Sequence, residues 1–175
     1  MRNVWQVLLV LFAILNQKSL ADGPCRRIAR YTVYDCEPAW QAFKDNCYLR
    51  VAEGKNYSDA KQHCQSYSKQ WRPTHLASIL SDDENQFIAT LIDSSDTWIG
   101  YNDLAVEGVY TWLDGSPAGY TNWKPGFPVG DAYGNQDCIH MFEGPQWKEF
   151  YCDGKMNFVC KMPRHVPLSK RTDSR

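Results

Sequence analysis

The chain lacks the marks of a catalyst: it contains neither a G-x-S-x-G nucleophile turn nor a glycine loop of the phosphate-binding type. Its histidines, His63, His75, His140 and His165, are scattered, and none stands in an H-E-x-x-H pattern. They read as packing or surface residues, and an enzyme is the least supported class. Charge of one sign is also missing, with 19 Lys and Arg against 20 Asp and Glu for a net charge of -1, so no basic surface for nucleic acid is expected. The acidic excess and low-complexity repeats expected of a mineral or matrix protein are absent as well.

Long apolar runs are scarce. A spanning helix needs about 20 apolar residues, whereas the N-terminal run from Val7 to Leu15 is preceded by Gln6 and ends before Asn16. With Arg2 ahead of it and Ser19-Leu20-Ala21 behind, residues 1–21 read as a signal peptide rather than a membrane anchor. Cleavage there leaves 17 basic and 20 acidic residues, a net charge of -3. The mature chain is long enough for one globular domain and short for two.

What is present begins with seven cysteines, at 25, 36, 47, 64, 138, 152 and 160. None are spaced as a zinc knuckle requires, and behind a signal peptide they imply disulfides in a secreted, extracellular protein. Three bridges among six cysteines leave fifteen connectivities open on spacing alone.

Ala60, Cys64 and Tyr67 recur at helical spacing after Ser58, marking a first helix. A second opens at Ser81, with Glu84 placed for a reciprocal cap and Phe87, Ile88, Leu91 and Ile92 as its apolar face. From Asp96 onward the period shortens. Thr97-Trp98-Ile99, Tyr110-Thr111-Trp112, Cys138 to Met141 and Asn157 to Cys160 read as short strands, giving an α+β domain. Between Trp112 and Cys138 lies a glycine- and proline-rich segment without periodicity. It is either a surface insertion or, as long loops in compact domains usually are, a functional one. Trp123 and Phe127 favour the second reading, because they are costly to leave in water.

Taken together, these residues resemble the C-type lectin-like superfamily over about Cys36 to Cys160. Cys36-Glu37-Pro38-Ala39-Trp40-Gln41-Ala42-Phe43, closing at Cys47-Tyr48, is similar to the N-terminal hairpin of the long-form domain. His75-Leu76-Ala77-Ser78-Ile79 with Glu84 and Phe87 is similar to the strand-to-helix signature that follows. Trp98-Ile99-Gly100-Tyr101 stands where the family has Trp-Ile-Gly-Leu, and Trp112-Leu113-Asp114-Gly115-Ser116 with Asn122-Trp123 matches the lead-in to its long loop.

The resemblance implies two helices with short antiparallel strands, a long irregular ligand loop, and three intradomain bridges: Cys36–Cys47, Cys64–Cys160 and Cys138–Cys152. With the lectin-like domain it implies at 36–162, the chain reads as the signal peptide, a lead at 22–35, that domain, and a tail at 163–175 whose basic residues and scarcity of apolar ones predict disorder. Cys25 falls outside the framework. It is an interchain candidate for a disulfide-linked homo-oligomer, the alternative being a capped or free thiol.

Sugar-binding relatives hold calcium at the long loop and let sugar hydroxyls complete its shell, which needs six to eight oxygens. Where such relatives have Glu-Pro-Asn or Gln-Pro-Asp, this chain has Phe127-Pro128-Val129. Where they have Trp-Asn-Asp it has Trp147-Lys148-Glu149, and Gln136 replaces a carboxylate two residues before the loop cysteine. The usual calcium-bridged sugar site is therefore expected to be absent. The ligand-binding surface is expected to comprise Phe127, Pro128, Val129, Tyr133, Gln136, Lys148 and Glu149, suited to a glycan or protein ligand. Alternatively, Phe127 and Val129 simply pack the loop. Asp103, Glu107 and Asp137, with Asp131, stand where the family places an auxiliary calcium site, unless they are surface acids or partners of Lys124 and Lys148. An alternative lectin would hold calcium through Asp131, Gln136, Asp137 and Glu149, and a further alternative is a matrix- or mineral-associated role. Asn56-Tyr57-Ser58 is an acceptor for N-glycosylation.

Overall fold

In a computed structural model of the chain, residues 36–70, 72–130 and 134–164 are described. The expected signal peptide, the lead with Cys25, Asp131, Tyr133 and the tail from residue 165 onward lie outside the described residues.

Eight strands form one sheet: β1 (Gln41–Phe43), β2 (Asn46–Lys55), β3 (His75–Leu76), β4 (Thr97–Asn102), β5 (Thr111–Trp112), β6 (Cys138–Phe142), β7 (Gln146–Phe150) and β8 (Met156–Pro163). Their order is β1-β2-β8-β4-β6-β7, with β3 beside β8 and β5 beside β4. All pairings are antiparallel except β4 with β8, which runs parallel from Thr97 opposite Asn157 to Trp98 opposite Phe158. The four strands expected from the sequence are β4, β5, β6 and β8.

Helix α1 (Tyr57–Ser66) turns Tyr57, Ala60 and Cys64 inward at helical spacing. It begins one residue before Ser58, capped by Asn56, whose Oδ1 accepts the Asp59 N–H at 2.8 Å. Tyr67, read as part of the helix, instead terminates it as the C-cap. Replacing Asn56 by Ala is expected to cost about 1 kcal/mol in urea denaturation, with Asn56→Asp close to wild type; equal stabilities for all three would remove the cap from the account.

Helix α2 (Asp82–Ile92) starts at Ser81, whose Oγ accepts the Glu84 N–H at 3.3 Å. The return half of the expected capping box differs: the Glu84 carboxylate takes the Leu80 N–H at 2.8 Å, not that of Ser81. The cause is a stronger commitment of Glu84, which also binds the Lys161 Nζ at 2.6 Å and accepts from the Tyr48 hydroxyl. Lys161 donates further to the Ser78 carbonyl and hydroxyl, and the Ser78 hydroxyl donates to Asp114 at 2.6 Å. Burial raises the Asp114 carboxyl, but hydrogen bonds from Ser78 and Ser116 outweigh it and hold the group below its ordinary value. A chain of polar groups thus joins β2, α2 and β8 to Asp114, where the long loop begins.

Two apolar clusters fill the interior, one around Ile88, Ile92, Trp112 and Trp147 and the other around Tyr57, Leu76, Trp98 and Phe158. Trp98 and Trp147 are fully buried, and each indole N–H has an acceptor, at the Lys55 carbonyl (3.0 Å) and Asn85 Oδ1 (2.8 Å). In the Trp98-Ile99-Gly100 motif, glycine is needed because a Cβ at position 100 would stand 2.6 Å from the Leu76 carbonyl oxygen.

Among the described residues three disulfides form, Cys36–Cys47, Cys64–Cys160 and Cys138–Cys152, the pairs the resemblance implies. Cys64–Cys160 closes a separation of 96 residues and fastens α1 to β8. In the chain-entropy account a loop of that size contributes about 4 to 5 kcal/mol. Cys138–Cys152 ties the two ends of the β6–β7 hairpin, on which the candidate site is built.

Candidate functional site

Strand alternation divides the β6–β7 hairpin into two faces. Ile139 pairs with Glu149 and Met141 with Trp147, while His140 pairs with Lys148. Trp147 and Glu149 accordingly point to the face of the first cluster, and Lys148, His140 and Phe142 to the opposite face, where His140 packs on Trp98 and Phe150 of the second.

The long loop is fastened to this hairpin at two places. The Trp147 N–H donates to the Asn122 carbonyl at 2.8 Å, and its own carbonyl accepts from Lys124 at 2.9 Å. Trp123 then packs edge-on against Tyr110 and Trp147, with ring centroids 5.1 and 6.2 Å away. Farther along, where the Phe127–Pro128 peptide is cis, the Glu149 carboxylate accepts the Val129 N–H at 2.5 Å and the Gly130 N–H at 3.3 Å. It also accepts from the Tyr110 hydroxyl. Burial, then the Glu149 carboxylate, and more weakly Asp103, raise the Tyr110 hydroxyl far above its ordinary range. Tyr110 therefore stays a neutral donor.

This geometry corrects one expectation. Glu149 is not part of a ligand-facing surface: only 1% exposed, it holds the loop backbone from beneath. The one added methylene relative to Asp carries the carboxylate to those amides. Of the other expected positions, Pro128 is exposed, and Phe127, Val129, Gln136 and Lys148 are half-buried.

Lys124 and Lys148 were weighed as partners of the acidic cluster, but they lie on aromatic rings. The Lys124 Nζ stands 4.0 Å from the Phe142 centroid, and the Lys148 Nζ 5.1 Å from Phe142 and 5.4 Å from Phe127. Among the described residues neither joins a carboxylate in an ion pair.

The structure brings together Asp103, Glu107 and Asp137, each offering one carboxylate oxygen within 4.8 Å of the others. Asp103 is 3% exposed; its Oδ2 accepts the Gly108 N–H at 2.9 Å, whereas its buried Oδ1 has no hydrogen-bond partner. A buried carboxylate oxygen without a partner is costly. An all-oxygen acidic set of this kind fits a hard cation such as calcium. Gly130 adjoins this cluster, since a Cβ there would lie 3.4 Å from Glu107 Oε1.

His140 is 1% exposed, and neither ring nitrogen has a hydrogen-bond partner. Burial, followed by the Lys148 charge across the strand pair, lowers its pKa to about 4. The depressed value means the unfolded chain takes up this proton first as pH falls. The neutral ring carries no penalty above about 6.5, and stability is lost between there and about 4. Relative to His140→Leu, the wild type is expected to lose about 2.5 kcal/mol more between pH 7 and 4.5 in urea titrations; equal losses would contradict the assignment.

The sequence model for the lectin C-type domain matches residues 53–162. The chain belongs to the C-type lectin family. This C-type lectin is similar to an alpha-N-acetylgalactosamine-specific lectin of Patiria pectinifera, with 39% identity over 71% of this chain and 79% of that protein. It is 35% identical to the low affinity immunoglobulin epsilon Fc receptor of Mus musculus over 72% of its own length, but that alignment spans only 37% of the receptor. Among solved structures it is similar to the cow carbohydrate-recognition domain of CD23, determined in the presence of a GlcNAc2Man3 oligosaccharide. There the TM-score is 0.69 and the identity 30%, over 75% of this chain and 98% of that one. The family is one of carbohydrate and protein recognition and often binds calcium. Among the described residues of this C-type lectin, no helix is long and apolar enough to cross a membrane.

Tyr110, Lys124 and Phe142 were not among the expected site residues. The Lys124 ammonium and the Phe142 ring are brought together by the loop's return across β7, which no local pattern in the sequence encodes.

Proposed function

We propose that this C-type lectin is a secreted, non-enzymatic recognition protein that binds a carbohydrate or protein ligand at its long loop, without a calcium ion bridging protein and ligand there. The observation that carries this reading is the commitment of Glu149. Its carboxylate is taken up by Val129, Gly130 and Tyr110, while Phe127-Pro128-Val129 presents no side-chain oxygen. Ligand contact then falls to Phe127, Pro128, Val129, Gln136 and Lys148, with Tyr133. Three disulfides support an extracellular setting. Asn56 carrying a glycan and Cys25 joining two copies belong to the same proposal.

Calcium has a separate role. Asp103, Glu107 and Asp137 would hold one ion, with Asp131 as a further ligand, and the ion would supply positive charge that relieves the buried Asp103 carboxylate and stiffens the loop. Asp103→Asn is expected to weaken calcium binding at least tenfold, about 1.4 kcal/mol, measured by calorimetry; unchanged affinity would place the ion elsewhere.

The second reading is a calcium-bridged lectin with an unusual ligand set, favoured by the 39% identity to a lectin specific for alpha-N-acetylgalactosamine. A glycan array containing that sugar, probed with and without chelator on the Asp103→Asn chain, separates the two readings. Binding that survives chelation supports the first, and binding abolished by chelation supports the second.

A further inference from the structure

We infer that Lys124 and Lys148, mounted on Phe142 and Phe127, form a binding site for an acidic saccharide, one bearing sulfate or carboxylate groups. The inference rests on the proposed long-loop recognition and names the ligand class for it.

The two ammonium groups are brought together by one ring. Their distances from the Phe142 centroid, 4.0 and 5.1 Å, place the two nitrogens no more than about 9 Å apart. Such a pair costs like-charge repulsion, and it is assembled from separate segments: Lys124 in the long loop and Lys148 at the centre of β7. Two features hold it in place. Lys124 is fixed by its N–H on the Trp147 carbonyl, and Lys148 projects to the outer face because its neighbours Trp147 and Glu149 are buried. Glu149 is turned to the opposite face, and among the described residues no carboxylate pairs with either lysine.

The residue packed beneath the pair is not an anion. Beneath the pair, His140 is packed among Trp98, Phe142 and Phe150 and stays neutral at physiological pH, its pKa depressed first by burial and then by the Lys148 charge. Lys124 and Lys148, half-buried on aromatic supports, therefore offer their ammonium groups as donors to sulfate or carboxylate oxygens. Phe127 and the exposed Pro128 beside them supply apolar edges for a sugar ring. A purely apolar protein ligand would leave both cations unpaired at a cost, which is why a charged saccharide is the occupant the patch favours.

The test compares chondroitin sulfate with its chemically desulfated form by calorimetry on the whole protein, for wild type and for K124Q, K148Q and the double variant, with and without chelator. Circular dichroism checks that each variant folds. The expected result is binding of the sulfated form that resists chelator, weakens with added salt, and drops at least tenfold in the double variant. A Lys148→Arg chain should retain it. Equal binding of both forms, resistant to chelator and indifferent to the lysine changes, overturns this site while leaving long-loop recognition intact. Binding that needs calcium and ignores the lysines overturns both. Capture of an acidic peptide but of neither saccharide form overturns the ligand class.

Discussion

Replacing Lys161 by Met is expected to destabilise the protein by about 3 to 5 kcal/mol, because it strands the Glu84 carboxylate in the interior. Lys161 and Glu84 are 2.6 Å apart with side chains 9% and 7% exposed. Breaking a buried pair by removing one partner leaves an uncompensated charge. Tyr48, whose hydroxyl is raised well above its ordinary range by burial and by Glu84, stays a neutral donor to that carboxylate and brings no charge to balance it. The double variant Lys161→Met with Glu84→Leu should recover much of the loss, since both charges are then gone and only the Leu80 N–H and Tyr48 hydroxyl lose an acceptor. Urea denaturation of the four chains of the cycle measures this. A single variant within 1 kcal/mol of wild type would show the pair to be solvated in solution. Because Ser78 and Asp114 belong to the same chain of hydrogen bonds, a local effect on hydrogen exchange at residues 113–116 should accompany the change.

Glu149→Ala is expected to cost about 3 kcal/mol or more and to free the loop tip. It deprives three part-buried donors of their acceptor, the Val129 and Gly130 amides and the Tyr110 hydroxyl, and each loss costs about 1 kcal/mol or more, up to about 3 for a donor fully cut off from water. Hydrogen exchange at 129–130 should rise at least tenfold while β2 and β8 remain protected. Glu149→Gln keeps one acceptor oxygen and should fall between the two. Unaltered exchange in the Ala chain would mean that Glu149 does not hold the loop, and the case against a calcium-bridged site would lose its main support. A second consequence concerns the acidic cluster: Gly130 adjoins Glu107, so loosening the tip should also weaken calcium binding.

Much of the fold is legible in the sequence, for reasons that differ between elements. Helix α2 is announced by Ser81 and by the spacing of Phe87, Ile88, Leu91 and Ile92, of which Ile88 and Ile92 are fully buried. The strands β4 and β8 show themselves through dense β-branched and aromatic residues. Strand β2 is harder: it pairs on both sides near Cys47 and Tyr48, both residues are buried, and the alternation that marks a half-exposed strand is missing. The disulfide pairing is not contained in the spacing of the cysteines and follows only from the family resemblance.

At the site, the sequence exposes composition but not direction. Lys148 and Glu149 are adjacent charged residues, and nothing local distinguishes the half-buried one from the buried one. Period-2 alternation does so once Trp147 is known to be buried, because Glu149 must then share its face. The acidic cluster is legible as a set of residue types, whereas the buried, unpartnered Asp103 Oδ1 requires coordinates. Lys124 and Phe142 meet only through the loop's return.

The most direct measurement is glycan-array binding of the Asp103→Asn chain with and without chelator. Removing the auxiliary ligand leaves the long loop as the place where chelation can act on ligand binding. The account predicts the same glycan signal in both conditions, concentrated on sulfated or carboxylated saccharides. Loss of signal with chelator would mean that an ion bridges ligand and loop, and would contradict the account.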